Sequence, residues 1–76
     1  MFDYSKLLGR IKEVCGSQAV FSIAMKLSER TISLKLSNQR EWKQSEIKQA
    51  CSILKIQDKE IPQYFFIPRV QKNEQK

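Results

Sequence analysis

Apolar residues recur every three or four positions along most of the chain, which is the spacing of one helix face. Two short stretches show it most clearly, the first through Val20, Phe21, Ala24 and Met25 and the second through Ile32 and Leu36. Ser17 and Ser28 each precede one stretch, and a serine there accepts a hydrogen bond from an unpaired amide of the first turn. The pattern therefore predicts two short helices joined by a tight turn, the second within positions 28–37.

Two capped helices in tandem are the layout of a DNA-reading helix-turn-helix. The open end of the second helix offers five side chains to a partner: Glu29, Arg30, Thr31, Ser33 and Leu34. A small helical bundle whose serines are ordinary caps gives the same periodicity, because a helix-turn-helix is only two such helices at a set angle. The pattern alone leaves both interpretations open.

Two longer helices are predicted on either side of this pair. The first runs from a cap at Asp3 to Gly16, and the other starts near Lys43 or Ser45, with Trp42 as a lid on the core. Their apolar faces are Tyr4, Leu7, Leu8, Ile11 and Val14 in the one, and Ile47, Ala50, Cys51 and Leu54 in the other.

A last, short helix opens at Asp58 or Glu60. The apolar run that follows either completes the core or serves as a contact for self-association: Tyr64, Phe65, Phe66 and Ile67. Pro68 and the polar residues after it predict fraying. The chain is therefore divided into one domain at 1–66 and an extended or disordered tail at 67–76.

Charge favours a polyanionic partner. Fourteen Lys and Arg against eight Asp and Glu give a formal net charge of +6. Nucleic acid is favoured over a membrane and we expect no membrane partner, because no apolar run approaches the roughly 20 residues of a bilayer span and no signal sequence opens the chain. We therefore expect a protein of the bacterial cytoplasm, with Cys15 and Cys51 as free core residues.

Catalytic chemistry has little to build on in this sequence. It lacks histidine, so the usual general base and the commonest metal ligand are missing, and two cysteines form no zinc pattern. Two isolated glycines make no phosphate-binding loop. We expect no enzymatic activity, no cofactor, no metal and no small-molecule substrate.

Five segments carry a resemblance to a known family: Phe2–Leu7, Gly16–Gln18, Leu27–Thr31, Trp42–Ile47 and Ile61–Phe66. Together they resemble the lambda-repressor-like DNA-binding domains, and most closely the small Cro-like regulators of Firmicutes phages and prophages. The resemblance covers positions 2–66. It implies an all-α, five-helix domain of the lambda-repressor-like helix-turn-helix type that binds operator DNA.

The resemblance also implies roles for single residues. Gln18 matches the glutamine that grips a phosphate at the start of the family's second helix. Four residues match positions that face base edges: Glu29, Arg30, Ser33 and Leu34. Two departures stand out, because Lys26 occupies the turn position usually held by glycine and Ser22 replaces a small alanine. A left-handed backbone at Lys26 costs roughly 1 kcal/mol.

The chemistry of these side chains suits DNA, although each has a simpler explanation. Arg30 can bond guanine O6 and N7 together, Glu29 can accept from cytosine N4, and Leu34 can touch a thymine methyl. The alternatives are that Arg30 contacts only phosphate, that Glu29 complements the positive start of the helix, and that Leu34 belongs to the core. Further candidates for contacts to the DNA backbone are Ser17, Gln18, Thr31, Asn38, Arg40, Lys43 and Gln44.

The sequence thus predicts a regulator of a phage lysogeny–lysis switch that reads double-stranded operator DNA, as a homodimer, with the helix at 28–37. The alternative is an antirepressor or modulator that acts by binding the phage repressor protein.

Overall fold

Five helices follow one another in the computed structural model, which describes residues 1–69. They are α1 (Ser5–Cys15), α2 (Gln18–Met25), α3 (Glu29–Leu36), α4 (Gln44–Leu54) and α5 (Ile61–Phe65), with a 3-10 turn at Asp58–Glu60 before α5. No strand occurs within the described residues, and the predicted all-α, five-helix domain is confirmed. The part of the predicted tail at 70–76 lies outside the described residues.

The helix starts follow the predicted caps in the middle of the chain. The Ser17 hydroxyl accepts the Val20 amide at 3.1 Å, and the Ser28 hydroxyl accepts the Thr31 amide at 3.0 Å. Both contacts satisfy an amide that a helix start leaves without a partner. The division into α2 and α3 is therefore confirmed.

The first helix begins slightly later than predicted. Asp3 does not cap it, because the residue at the cap position is Tyr4. The Asp3 carboxylate instead accepts the Ser5 hydroxyl at 2.6 Å and the Ser5 amide at 2.8 Å. These bonds lower the pKa of Asp3, the hydroxyl contact contributing most. Gly16 ends the helix with φ at 86°, as its lack of a Cβ allows.

The core collects buried side chains from every helix: Leu7, Ile11, Phe21, Met25, Ile32, Ile47, Ala50, Cys51, Leu54 and Phe65, with Tyr4 and Ile56 from the connections. In α2 the inner face is rotated from the predicted one, since Val20 and Ala24 are exposed and Ser22 is buried. The Ser22 hydroxyl donates to the Ala19 carbonyl at 2.7 Å, so its burial leaves no unpaired polar group.

The two cysteines are free thiols, as predicted. Cys51 is buried in α4 and Cys15 is half-buried. Burial raises the pKa of the Cys51 thiol, and the nearby Asp58 carboxylate raises it further. A buried thiol kept protonated in this way is an unreactive small core residue.

The chain termini meet in an isolated antiparallel bridge between Phe2 and Pro68. The Asp3 amide donates to the Ile67 carbonyl at 2.7 Å, and the Arg69 amide donates to the Met1 carbonyl at 3.1 Å. Residues 67–69, which the sequence assigns to a tail, therefore run extended along residues 1–3. We call this arrangement the terminal bridge.

Candidate functional site

The predicted DNA-reading end of α3 is open in part. Glu29, Arg30 and Ser33 are exposed, whereas Leu34 is half-buried. Thr31 is also half-buried, and its hydroxyl bonds the Ser28 hydroxyl at 2.8 Å. The open end of the helix thus presents one cation, one carboxylate and one small hydroxyl.

The residues predicted to clamp the DNA backbone lie in two groups around α3. Ser17 and Gln18 are at the start of α2, and three exposed residues lie near the start of α4: Arg40, Lys43 and Gln44. Asn38 requires a correction. Its carboxamide is bound to Phe2 rather than open to a phosphate, since its Oδ1 accepts the Phe2 amide and its Nδ2 donates to the Phe2 carbonyl, both at 2.9 Å.

A buried ion pair lies behind α3 and was not expected from the sequence. Lys35 is 4% exposed, and its Nζ lies 2.8 Å from Glu46 Oε1 and 2.9 Å from the Glu41 carbonyl oxygen. Burial alone raises the pKa of Glu46, but the bonds from Lys35 and from the Lys43 amide outweigh it, so the pKa is lowered overall. Lys35 therefore belongs to the scaffold and is not a surface cation for DNA.

A groove of about 520 Å³ lies between the N-terminal segment, the α3–α4 connection and α5. We call it the aromatic groove. Its lining consists of Met1, Phe2, Tyr4, Asn38, Gln39, Arg40, Glu41, Trp42, Ile47, Phe65 and Phe66. Five of the seven aromatic residues of the chain (four Phe, two Tyr and one Trp) are in this lining. The groove is therefore the place where apolar contact with a partner can be made.

Edge-to-face contacts connect the aromatic rings of the groove. Ring centroids lie 5.6 Å apart for Phe2 and Phe66, 5.2 Å for Trp42 and Phe65, and 6.5 Å for Tyr4 and Trp42. This geometry is favoured by the ring quadrupoles and adds to the stabilisation from burial. A tilted contact between Phe2 and Tyr4, at 6.3 Å between centroids, joins the two groups, so the rings form one continuous wall.

Two features distinguish this wall from an ordinary protein core. Phe66 is 46% exposed and Met1 is 77% exposed, although both line the groove. The Trp42 indole N–H is buried and has no hydrogen-bond partner among residues 1–69. Such an unpaired donor costs about 1–3 kcal/mol.

The predicted self-association run is split by the structure. Phe65, at 1% exposure, lies in the core, which is the first of the two alternatives that the sequence left open, and is not available as a contact surface. Tyr64 is half-buried, with the Lys6 ammonium 4.9 Å from its ring centroid. Phe66 and Ile67 are exposed, and self-association through them stays a prediction.

The groove was not predicted, because its parts are far apart in sequence. The sequence places Trp42 as a lid on the core and leaves Phe2 unassigned as a site residue. The available signal was the position of both rings just before a helix, together with the apolar run at 64–67. Nothing in a local pattern says that residue 2 lies against residue 66.

Two other kinds of site find no support in the described part of the chain. Residues 1–69 hold no group of three side chains that could ligate a metal ion. None of the described helices combines the length and the apolar character needed to cross a bilayer.

Comparison with known proteins identifies a family and a similar solved structure. The model of a family described as "Protein of unknown function (DUF739)" matches residues 1–67. The chain is 54% identical to the modulator of repression (MOR) of the temperate bacteriophage TP901-1 from Lactococcus lactis, whose solution structure superposes with a TM-score of 0.78. That match covers 86% of this chain and 88% of the other. No functionally curated protein matches.

Proposed function

The chain belongs to the family described as "Protein of unknown function (DUF739)", and from that premise we propose that it modulates repression in a temperate phage by binding the phage repressor protein. The observation that carries the proposal is the aromatic groove. The similarity to a phage modulator of repression, at 54% identity over most of both chains, supplies the biological setting.

The chemistry of the groove favours a protein over DNA as its occupant. Exposed aromatic rings and methionine are enriched where proteins bind proteins, because they bury much apolar area with few rotatable bonds. Affinity for DNA comes instead from cations on phosphates. The rim offers Arg40 and Glu41, one charge of each sign, around an apolar floor. An apolar centre with a polar rim is the usual arrangement of a protein interface.

Phe66 is the residue on which we expect the repressor to bind most strongly. It is half exposed, it lines the groove, and the ring of Phe2 holds it from the side. A repressor side chain packed against the Phe66 ring would bury its remaining exposed surface. Little conformational entropy would be lost, because the contact with Phe2 already orders the Phe66 ring. Residues of this kind contribute 2 kcal/mol or more to binding, which is about a thirtyfold change in affinity.

Operator binding by α3 is the second candidate function. It is favoured by the serine-capped pair α2–α3 and by the exposure of Glu29, Arg30 and Ser33 at the start of α3. Arg30 would read guanine through its two parallel donors. The engagement of Asn38 with Phe2 leaves one contact for the phosphates fewer than the sequence predicts, and the buried Lys35 adds none.

The test is calorimetric titration of the repressor from the same phage into the full chain. We expect saturable binding that weakens about thirtyfold in Phe66→Ala. Ile23→Ala is the matched control, since Ile23 is an exposed apolar residue on α2, 75% exposed and outside the groove lining. Thermal unfolding of each variant confirms that the fold is retained.

Three results decide between the candidates. Loss of affinity in Phe66→Ala alone supports docking in the groove. Equal affinity in Phe66→Ala and the wild type, or a larger loss in Ile23→Ala, contradicts it. No binding of the repressor, together with saturable and salt-dependent binding of operator DNA, makes operator reading the function.

A further inference from the structure

The terminal bridge leaves two backbone groups of Phe2 without a partner in the bridge itself. In an antiparallel pair of this type, the hydrogen bonds are made by the residues on either side of the facing pair. Here these are the bonds from Asp3 to Ile67 and from Arg69 to Met1. The N–H and C=O of Phe2 therefore point away from Pro68, toward the open edge.

The side chain of Asn38 pairs with Phe2 at that open edge. Its Oδ1 accepts the Phe2 amide and its Nδ2 donates to the Phe2 carbonyl, each at 2.9 Å. A carboxamide has the same donor and acceptor groups as a peptide unit, so Asn38 replaces one peptide of a third strand. On the opposite edge Pro68 has no amide proton to donate, which also discourages further strand pairing.

The backbone of Asn38 restricts which residues can do this. Asn38 follows α3 with φ at 66°, in the left-handed region. Glycine adopts this conformation freely, and asparagine tolerates it better than most residues with a Cβ. Glycine has no side chain to bond Phe2, so asparagine is the residue that meets both requirements.

We propose that Asn38 is a positioning residue that fixes the N-terminal wall of the aromatic groove in the geometry that binds the repressor. Phe2 forms part of that wall and supports Phe66 at 5.6 Å between centroids. Without Asn38, the wall keeps the two backbone hydrogen bonds of the terminal bridge, a long contact of 3.9 Å from Arg69 Nη1 to the Met1 sulfur, and its ring contacts. An isolated two-stranded pairing of this kind is marginal in water. This inference rests on the function proposed above.

The test combines amide exchange with repressor binding in Asn38→Gly. This variant keeps the left-handed backbone and removes the carboxamide. We expect the amides of Asp3 and Arg69 to exchange at least about tenfold faster. We expect the affinity for the repressor to fall about tenfold, which is equivalent to the free energy of one net hydrogen bond. Lys55→Gly is the control, since Lys55 has φ at 57° and lies outside the groove lining.

A second variant keeps the test decisive if Asn38→Gly does not fold. Asn38→Asp retains the acceptor for the Phe2 amide but puts a carboxylate against the Phe2 carbonyl, and both readouts should move in the same direction. Unchanged exchange at Asp3 and Arg69 in a folded variant overturns the positioning role. Faster amide exchange with unchanged repressor affinity overturns the proposal that Asn38 fixes the geometry that binds the repressor. A wild type that does not bind the repressor contradicts the proposed function, while the exchange measurement still judges Asn38.

Discussion

Glu46→Gln is the substitution with the largest predicted effect on stability outside the apolar core. The side chain of Glu46 is 14% exposed, and its Oε1 accepts both the Lys35 ammonium and the Lys43 amide at 2.8 Å. Glutamine retains an oxygen for the Lys43 amide, so the helix cap survives. The change removes the negative charge and leaves the Lys35 ammonium buried with neutral acceptors only.

The magnitude follows from the burial of the pair. Removing one partner of a buried ion pair costs about 3–5 kcal/mol, because the remaining charge is left uncompensated. A 76-residue domain has a total stability of about 4–11 kcal/mol, at 0.05–0.15 kcal/mol per residue. We therefore expect Glu46→Gln to lower Tm by at least about 12 °C, at 4–8 °C per kcal/mol. Lys35→Met/Glu46→Gln, which removes both charges, should recover most of this loss.

The assay is urea unfolding followed by circular dichroism, repeated between pH 3 and pH 7. The folded-state pKa of Glu46 lies below its unfolded value, so its contribution to stability is complete above the unfolded pKa of 4.5 and is lost as pH falls through the lowered folded value. The difference between wild type and Glu46→Gln should therefore shrink in acid. A difference below about 0.5 kcal/mol at pH 7, or one that grows on acidification, would show that the Lys35–Glu46 pair does not stabilise the fold.

Three further predictions concern single side chains. Phe65→Ala should lower the free energy of unfolding in urea by about 3–5 kcal/mol, whereas Phe66→Ser should remain folded. Sedimentation of Phe66→Ser will then show whether any self-association of the wild type depends on the Phe66 ring. Lys26→Gly should raise stability by about 0.5–1 kcal/mol, because Lys26 has φ at 60°; an unchanged midpoint contradicts a strained turn. In anisotropy titrations with operator DNA, Arg30→Ala should lose about 1–3 kcal/mol of binding free energy through one base. Lys43→Ala should weaken binding to all sequences and lower the slope of affinity against salt by about one. Equal losses for Arg30→Ala on operator and random DNA would assign Arg30 to the DNA backbone.

Local chemistry explains why the helices could be predicted. Ser17, Ser28 and Gly16 act within their own turns, so a window of a few residues contains all the information that places the helix ends. The left-handed turn at Lys26 was an expectation from the resemblance alone, since the family usually has glycine there, and the backbone of Lys26 has φ at 60°. Boundaries beside weaker caps, such as that of α1 near Asp3, were less well determined.

The groove and the ion pair depend on contacts between distant residues. Lys35 is three positions after the buried Ile32 and so lies on the inner face of α3, but its partner Glu46 is eleven residues further on. Phe2 and Asn38 are 36 positions apart, and no periodicity links them. Nothing in the local sequence therefore paired Lys35 with Glu46, and residue type alone offered Asn38 to DNA.

Chemical-shift mapping of the ¹⁵N-labelled protein will show whether the phage repressor docks in the aromatic groove. The chain has one tryptophan, so the Trp42 indole N–H gives a single resolved signal from the wall of the groove. On addition of the repressor, we expect saturable shifts of this signal and of the Phe2 and Phe66 amides, with the amides of Arg30 and Ser33 unchanged. Shifts confined to Arg30 and Ser33, or no shift with the repressor at all, would contradict docking in the groove.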